Sequence, residues 1–137
     1  MVEGEVARVL LVDDQQMVRE GLIIFLGTQA GITIVGEACD GKEALRLVEE
    51  QHPNVVLMDL LMPEMDGLAA IAAIKAKHPE TQIVVITGCS HEEEALAAIQ
   101  AGAIGYHLKE LNPFDLVRTI RAAARGEAYQ PAGGDDR

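Results

Sequence analysis

A chain of 137 residues, 49% hydrophobic, is long enough for one globular domain with a real core, and with aromatics at 3% the packing falls to Leu, Ile, Val and Ala. A formal charge of −11 argues against nucleic-acid binding by the chain itself, because phosphate backbones recruit Lys and Arg. No apolar run approaches the roughly 18 residues of a membrane span, no signal-peptide pattern opens the chain, and Cys39 and Cys89 stand in no metal spacing, so a reducing cytoplasm without membrane contact is expected.

Met1 to Glu5 read as a frayed end. Val6 to Val12 (VARVLLV) form a first buried strand that stops at Asp13-Asp14. Gln15 to about Gln29 is a helix with Val18, Leu22, Phe25 and Leu26 at i, i+4, i+7, i+8, and Gly31 closes it. Ile32 to Ala38 is a second strand, nearer an edge because it holds Gly36 and Glu37. Asp40-Gly41 is a turn. Lys42 to Gln51 is a helix facing inward with Ala44, Leu45 and Val48, and Pro53 follows its end.

Val55 to Met58 is a continuous apolar run too short for a surface helix, which suits a strand buried on both faces of a parallel sheet. It stops at Asp59, followed by the turn punctuation Met62-Pro63 and Asp66-Gly67. Taken alone, Asp59 could merely cap the next turn. Gly67 to about Lys77 is a third helix with Leu68, Ile71, Ala72 and Lys75 on one face, the lysine snorkelling. Gln82 to Ile86 is a fourth strand that delivers Thr87-Gly88. His91 to Gln100 is a helix with Glu92, Glu93 and Glu94 in its first turn, docked weakly through Leu96 and Ile99. Ala103 to Leu108 is a fifth strand leading to Lys109. Asn112 caps a last helix with Pro113 at its first position, Leu116, Val117, Ile120 and Ala124 inward, and Gly126 at its end.

Strand and helix alternate five times, with crossovers long enough for parallel pairing, so the fold class is α/β: a doubly wound five-stranded parallel sheet with five helices. Parallel strands end on one side. Asp13-Asp14, Asp59, Thr87 and Lys109 therefore share the sheet edge where open α/β sheets place their active sites. Three carboxylates in one crevice repel unless a hard cation joins them, and Mg²⁺ takes oxygen ligands while keeping several waters. A hydroxyl and an ammonium beside it would receive a phosphoryl group, and a carboxylate can itself be the nucleophile.

The segments LLVDD (Leu10 to Asp14), MDLLMPEMDG (Met58 to Gly67), ITG (Ile86 to Gly88) and AGAIGYHLK (Ala101 to Lys109) together resemble the receiver domain of a two-component response regulator, over nearly the whole chain. The resemblance implies a flavodoxin-like strand order 2-1-3-4-5 and a receiver over residues 6–127, with 128–137 a tail or the start of a linker. It implies a phosphoacceptor, Asp59, that takes its phosphoryl group from a phosphohistidine of a sensor histidine kinase. Mg²⁺ would be held by Asp14, Asp59 and the main-chain carbonyl of Leu61, with Asp13 assisting through water. Thr87 and Lys109 would bind phosphate oxygens, and Tyr106 would change rotamer with Thr87 and re-shape the surface of helix four, strand five and helix five. Such a domain is a phosphoacceptor that promotes its own phosphorylation and dephosphorylation, not an enzyme in the ordinary sense. Tyr106 also has a plainer reading as a half-buried strand residue with a wet hydroxyl.

VDDQQMVREGL (Val12 to Leu22) and AAARGEAYQP (Ala122 to Pro131) are similar to receivers attached to a LuxR-type helix-turn-helix. DNA would then be reached only through an output domain absent from this chain, since AGGDDR alone follows Pro131. A homodimer is left open. Two departures stand out. Glu110 follows Lys109 where many receivers carry a cis proline, so a trans bond is expected. Gln15 replaces the histidine common in the subfamily. Three competing readings are a stand-alone regulator signalling by protein contact, a Mg²⁺-dependent aspartyl-phosphate phosphatase and a flavodoxin-like cofactor binder. The phosphatase needs its nucleophile in a D-x-D arrangement on strand one, and the cofactor binder needs a phosphate loop that is missing here.

Overall fold

Runs of Val, Ile and Leu form the five strands of one parallel sheet in this computed structural model, which describes residues 6–60, 67–87, 92–108 and 112–128. In chain order the elements are β1 (Ala7–Val12), α1 (Gln16–Gly27), β2 (Ile32–Ala38), α2 (Gly41–Gln51), β3 (Val55–Asp59), α3 (Gly67–Lys77), β4 (Gln82–Thr87), α4 (Glu92–Ala101), β5 (Gly105–Leu108) and α5 (Pro113–Ala124). The strand order is β2-β1-β3-β4-β5 and every pairing is parallel: the doubly wound sheet that the alternation predicts, in the flavodoxin-like order that the resemblance implies. Growth of the sheet reverses at β1 and β3, which opens a crevice beyond their carboxyl ends. No helix among the described residues is long and apolar enough to cross a membrane.

Period-two alternation along the strands divides the core into two layers. Leu10, Val12, Val56, Met58, Ile83 and Val85 pack with Ala44 and Val48 of α2, Ala70, Ile71 and Ile74 of α3, and Ala98 of α4. Their neighbours Val9, Leu11, Val55, Leu57, Val84 and Ile86 pack with Leu26 of α1 and Leu116, Val117 and Ile120 of α5. Each such side chain, buried outright, contributes about 1.5–3 kcal/mol. The central strands are therefore rigid enough to hold charged groups at their ends. β2 is one of the two edge strands, as its Gly36 and Glu37 suggest, and its register against β1 slips between Val9 and Leu10. Gly36 accommodates that slip, since a Cβ there would meet Leu10 Cδ1 at 3.2 Å.

Several helix faces differ from the expectation. In α3 the buried residues are Gly67, Ala70, Ile71 and Ile74, whereas Ala72 is exposed. The helix is almost uniformly apolar, so periodicity offers little to orient it. Lys75 is half-buried, its head tied down at the surface. Its Nζ donates to the carbonyls of Pro79 (2.7 Å) and Thr81 (2.9 Å), and burial pushes its ammonium pKa down. α4 docks through Ala98, fully buried, while Leu96 and Ile99 remain 59% and 41% exposed. A small residue lets the helix approach the sheet, and the large ones point away. In α1 only Leu26 is buried; Leu22 and Phe25 are partly covered. Asp40 does more than turn the chain. Its carboxylate accepts from the Glu43 N–H at 2.9 Å, and Glu43 reaches back to the Cys39 N–H at 3.0 Å, a reciprocal cap on α2. Asn112 caps α5 as expected, accepting from the Phe114 N–H at 2.8 Å. Gly126 closes α5 with φ of 77°, whereas α1 already ends at Gly27 with Thr28 as its cap, so Gly31 (φ 80°) turns the chain into β2 rather than closing the helix. The Lys109–Glu110 bond lies outside the described residues.

Candidate functional site

β1 and β3 are adjacent in the sheet, with Val12 opposite Met58. The next residue along each strand is a carboxylate. Asp13, Asp14 and Asp59 each present an oxygen, and the three oxygens lie within 4.8 Å of one another. Asp13 and Asp59 are 4% and 6% exposed, and Asp14 is open to solvent. Buried carboxylates are retained only where hydrogen bonds, counter-charges or a cation compensate them.

The turn after β1 is held from three directions. The Asp13 N–H extends the β1–β2 ladder to the Ala38 carbonyl at 3.0 Å. Its carboxylate accepts from the Gln15 N–H at 2.9 Å, closing an Asx turn. Its main-chain carbonyl accepts from Arg19 Nη1 at 2.6 Å, while Arg19 Nε donates to Glu37 at 2.9 Å. Arg19 has no role in the sequence reading. The signal that could have found it is that it is the sole basic residue on α1, one turn beyond a pair of carboxylates.

Asp59 is fixed by the element that follows it. A Cβ on Gly67 would lie 2.8 Å from Leu60 Cα and 3.0 Å from the Asp59 carbonyl oxygen, so only glycine lets the first turn of α3 sit this close. Thr87 ends β4 opposite Leu108 of β5, which brings its backbone to the same sheet edge. Tyr106, on β5 opposite Val85, is 40% exposed. Leu61 and Lys109 lie outside the described residues. Of the expected site residues, then, the structure brings together the three aspartates on one edge with the end of β4.

The donor set suits a small hard cation. At Mg–O distances of about 2.0–2.1 Å, oxygens on one octahedral ion stand roughly 3 Å apart when adjacent and 4 Å when opposite. The 4.8 Å span is wider than that, which matches a site that draws in by roughly 0.7 Å or binds one carboxylate through a water. Sulfur and imidazole are absent from the cluster, as oxygen-preferring Mg²⁺ requires.

Residues 9–121 match the response regulator receiver domain. The uncharacterized transcriptional regulatory protein YhcZ of Bacillus subtilis (strain 168) is 48% identical over 112 residues, which is 82% of this chain and 52% of that protein. The nitrate/nitrite response regulator protein NarL of Escherichia coli (strain K12) is 39% identical over 127 residues, 93% of this chain and 59% of that protein. The chain thus spans between about half and three-fifths of the curated relatives it matches. Among solved structures, a LuxR-family two-component response regulator from Aurantimonas superposes with a TM-score of 0.88 at 36% identity, covering 93% of this chain and 91% of the other. The isolated REC domain of RcsB from Salmonella enterica, solved with the phosphomimetic BeF3−, gives 0.84 at 26% identity, covering 93% and 94%.

Proposed function

This chain belongs to the response regulator receiver domain family and its relatives are of the LuxR/NarL type, and on that premise we propose that it accepts a phosphoryl group on Asp59 from a sensor histidine kinase. The observation that carries this reading is the convergence of Asp59, alone at the end of the central strand, with the two carboxylates after β1. Receiver domains of transcriptional regulators are signalling domains, and this chain is read as one rather than as a metabolic enzyme.

Asp14, Asp59 and the main-chain carbonyl of Leu61 would hold Mg²⁺, with Asp13 acting through a water. When bound, the cation offsets the negative charge that gathers where carboxylate and phosphoryl oxygens meet. An Asp59 carboxylate oxygen forms the new bond to phosphorus. The phosphorus–nitrogen bond to the kinase histidine breaks, and its electron pair leaves on the imidazole, which takes up a proton. The Thr87 hydroxyl and the Lys109 ammonium bind the transferred oxygens. The phosphoryl group, bearing about −2 where the carboxylate bore −1 and bringing new acceptor oxygens, draws Thr87 inward, Tyr106 follows, and the surface of α4, β5 and α5 shifts as a two-state equilibrium. Tyr106, 40% exposed, has room outside for the unphosphorylated position. The REC domain of RcsB, a fold neighbour, was solved with a phosphomimetic, in keeping with acyl-phosphate chemistry at this site.

The receiver occupies residues 6–127, with 128–137 beginning a linker, and functions in the cytoplasm. The matched relatives are longer, and several are transcriptional regulators. The output is accordingly assigned to a DNA-binding domain beyond this chain, whose own net charge of −11 disfavours contact with phosphates. Incubation with acetyl phosphate and Mg²⁺ tests the reading. Intact-protein mass should rise by one phosphoryl group, and chelation of the metal should abolish the gain. A mass unchanged under both conditions would overturn it.

A further inference from the structure

We propose that Arg19 is the positioning residue that sets the affinity of the Asp13–Asp14 turn for its divalent cation, an inference that rests on the metal-site reading above. The Arg19 side chain is 15% exposed, although it carries a charge. Nη1 donates to the Asp13 main-chain carbonyl at 2.6 Å, and Nε donates to Glu37 at 2.9 Å. That carbonyl belongs to the peptide unit joining Asp13 to Asp14. The guanidinium therefore grips the peptide plane whose orientation aims both carboxylates. Its planar fork fixes two partners at once, which a flexible ammonium does not. Glu37 is itself anchored, lying on β2 opposite Leu11. The grip thus ties the metal turn to β2, at one edge of the sheet.

Two effects of opposite sign follow from this placement. A positive charge near the cluster repels a cation and weakens binding. A fixed peptide plane pre-organises the oxygens and tightens it. Glu37 stands against Arg19 as a counter-charge, so the pair is neutral to first order and the orienting effect dominates. Groups that orient metal ligands typically change affinity about 10–100-fold. The lower figure applies here, because Arg19 acts through the backbone.

The test is calorimetric titration of the unphosphorylated chain with MgCl2. Arg19→Ala should weaken the apparent Kd about tenfold. Arg19→Lys keeps the charge and can donate one bond to the Asp13 carbonyl, so it should recover part of the loss; should the alanine variant fail to fold, an intermediate weakening in Arg19→Lys alone carries the test. Val48→Ala, in the opposite core layer, should lower the melting temperature while leaving the Kd at the wild-type value. Unchanged or tighter binding in Arg19→Ala, a lysine variant that binds as tightly as wild type or no better than alanine, or equal weakening in Val48→Ala would each overturn the assignment. A wild-type chain that binds no Mg²⁺ would overturn both this role and the metal site, whereas normal wild-type binding with Arg19→Ala unaffected would overturn the role alone.

Discussion

Replacing Asp14 with asparagine should have opposite effects on stability with and without Mg²⁺. The three carboxylate oxygens lie within 4.8 Å of one another. Unit charges at that spacing repel by about 3.5 kcal/mol at an effective dielectric constant of 20 and by about 0.9 kcal/mol in water. Asp14 takes part in two of the three pairs but is exposed, so the low end governs and its removal relieves about 1–2 kcal/mol. For a domain of this size each kcal/mol moves the melting temperature by about 4 °C. In EDTA, Asp14→Asn should therefore melt about 4–8 °C above wild type. With Mg²⁺ at a hundredfold Kd the wild type gains about 2.7 kcal/mol by mass action. The variant, lacking a ligand, gains little, and the order of stability inverts. Far-UV circular dichroism melts in EDTA and in millimolar MgCl2 are sufficient. A variant less stable than wild type in EDTA, with neither protein responding to Mg²⁺, would refute the reasoning.

Thr87→Ala and Lys109→Ala should separate chemistry from switching: phosphorylation persists in some measure, while the change in amide exchange across residues 95–108 is lost; full wild-type exchange changes in both would remove their switch roles. Gly67→Ala should cost about 1–3 kcal/mol in urea unfolding and slow phosphorylation, because the new methyl meets backbone on Leu60 and Asp59 rather than a flexible side chain. A neutral Gly67→Ala would show that the β3–α3 approach is looser than it stands. Leu96→Ala on α4 should change stability by less than about 0.5 kcal/mol, since the side chain is exposed. Ala98→Leu should cost about 1–3 kcal/mol by overpacking the layer beneath, and the reverse ranking would restore the original view of that helix.

The doubly wound parallel sheet was legible because the strands are short, β-branched and punctuated by Asp, Gly and Pro, whereas the strand order came from the resemblance to receiver domains. The aspartate cluster was legible for the same reason: carboxylates at the ends of neighbouring parallel strands must meet. Helix faces were harder. In α3 nearly every residue is apolar, so Ala72 and Ile74 cannot be ranked without knowing which neighbour is close. In α4 the rule that large residues face inward fails: Ala98 is the buried residue, while Leu96 and Ile99 are exposed. Arg19 was invisible for a different reason. Its partner is a main-chain carbonyl, and no side-chain pattern announces a bond to backbone.

The central claim, that Asp59 alone carries the phosphoryl group, is tested most directly by trapping the bond. The chain is phosphorylated with acetyl phosphate and Mg²⁺, the acyl phosphate is reduced with borohydride, and the peptides are mapped by mass spectrometry. Reduction converts a phosphorylated aspartate to homoserine. We predict homoserine at position 59 only, and none in Asp59→Asn treated in parallel. Homoserine at Asp13 or Asp14, or stoichiometric labelling that survives in Asp59→Asn, would contradict the account.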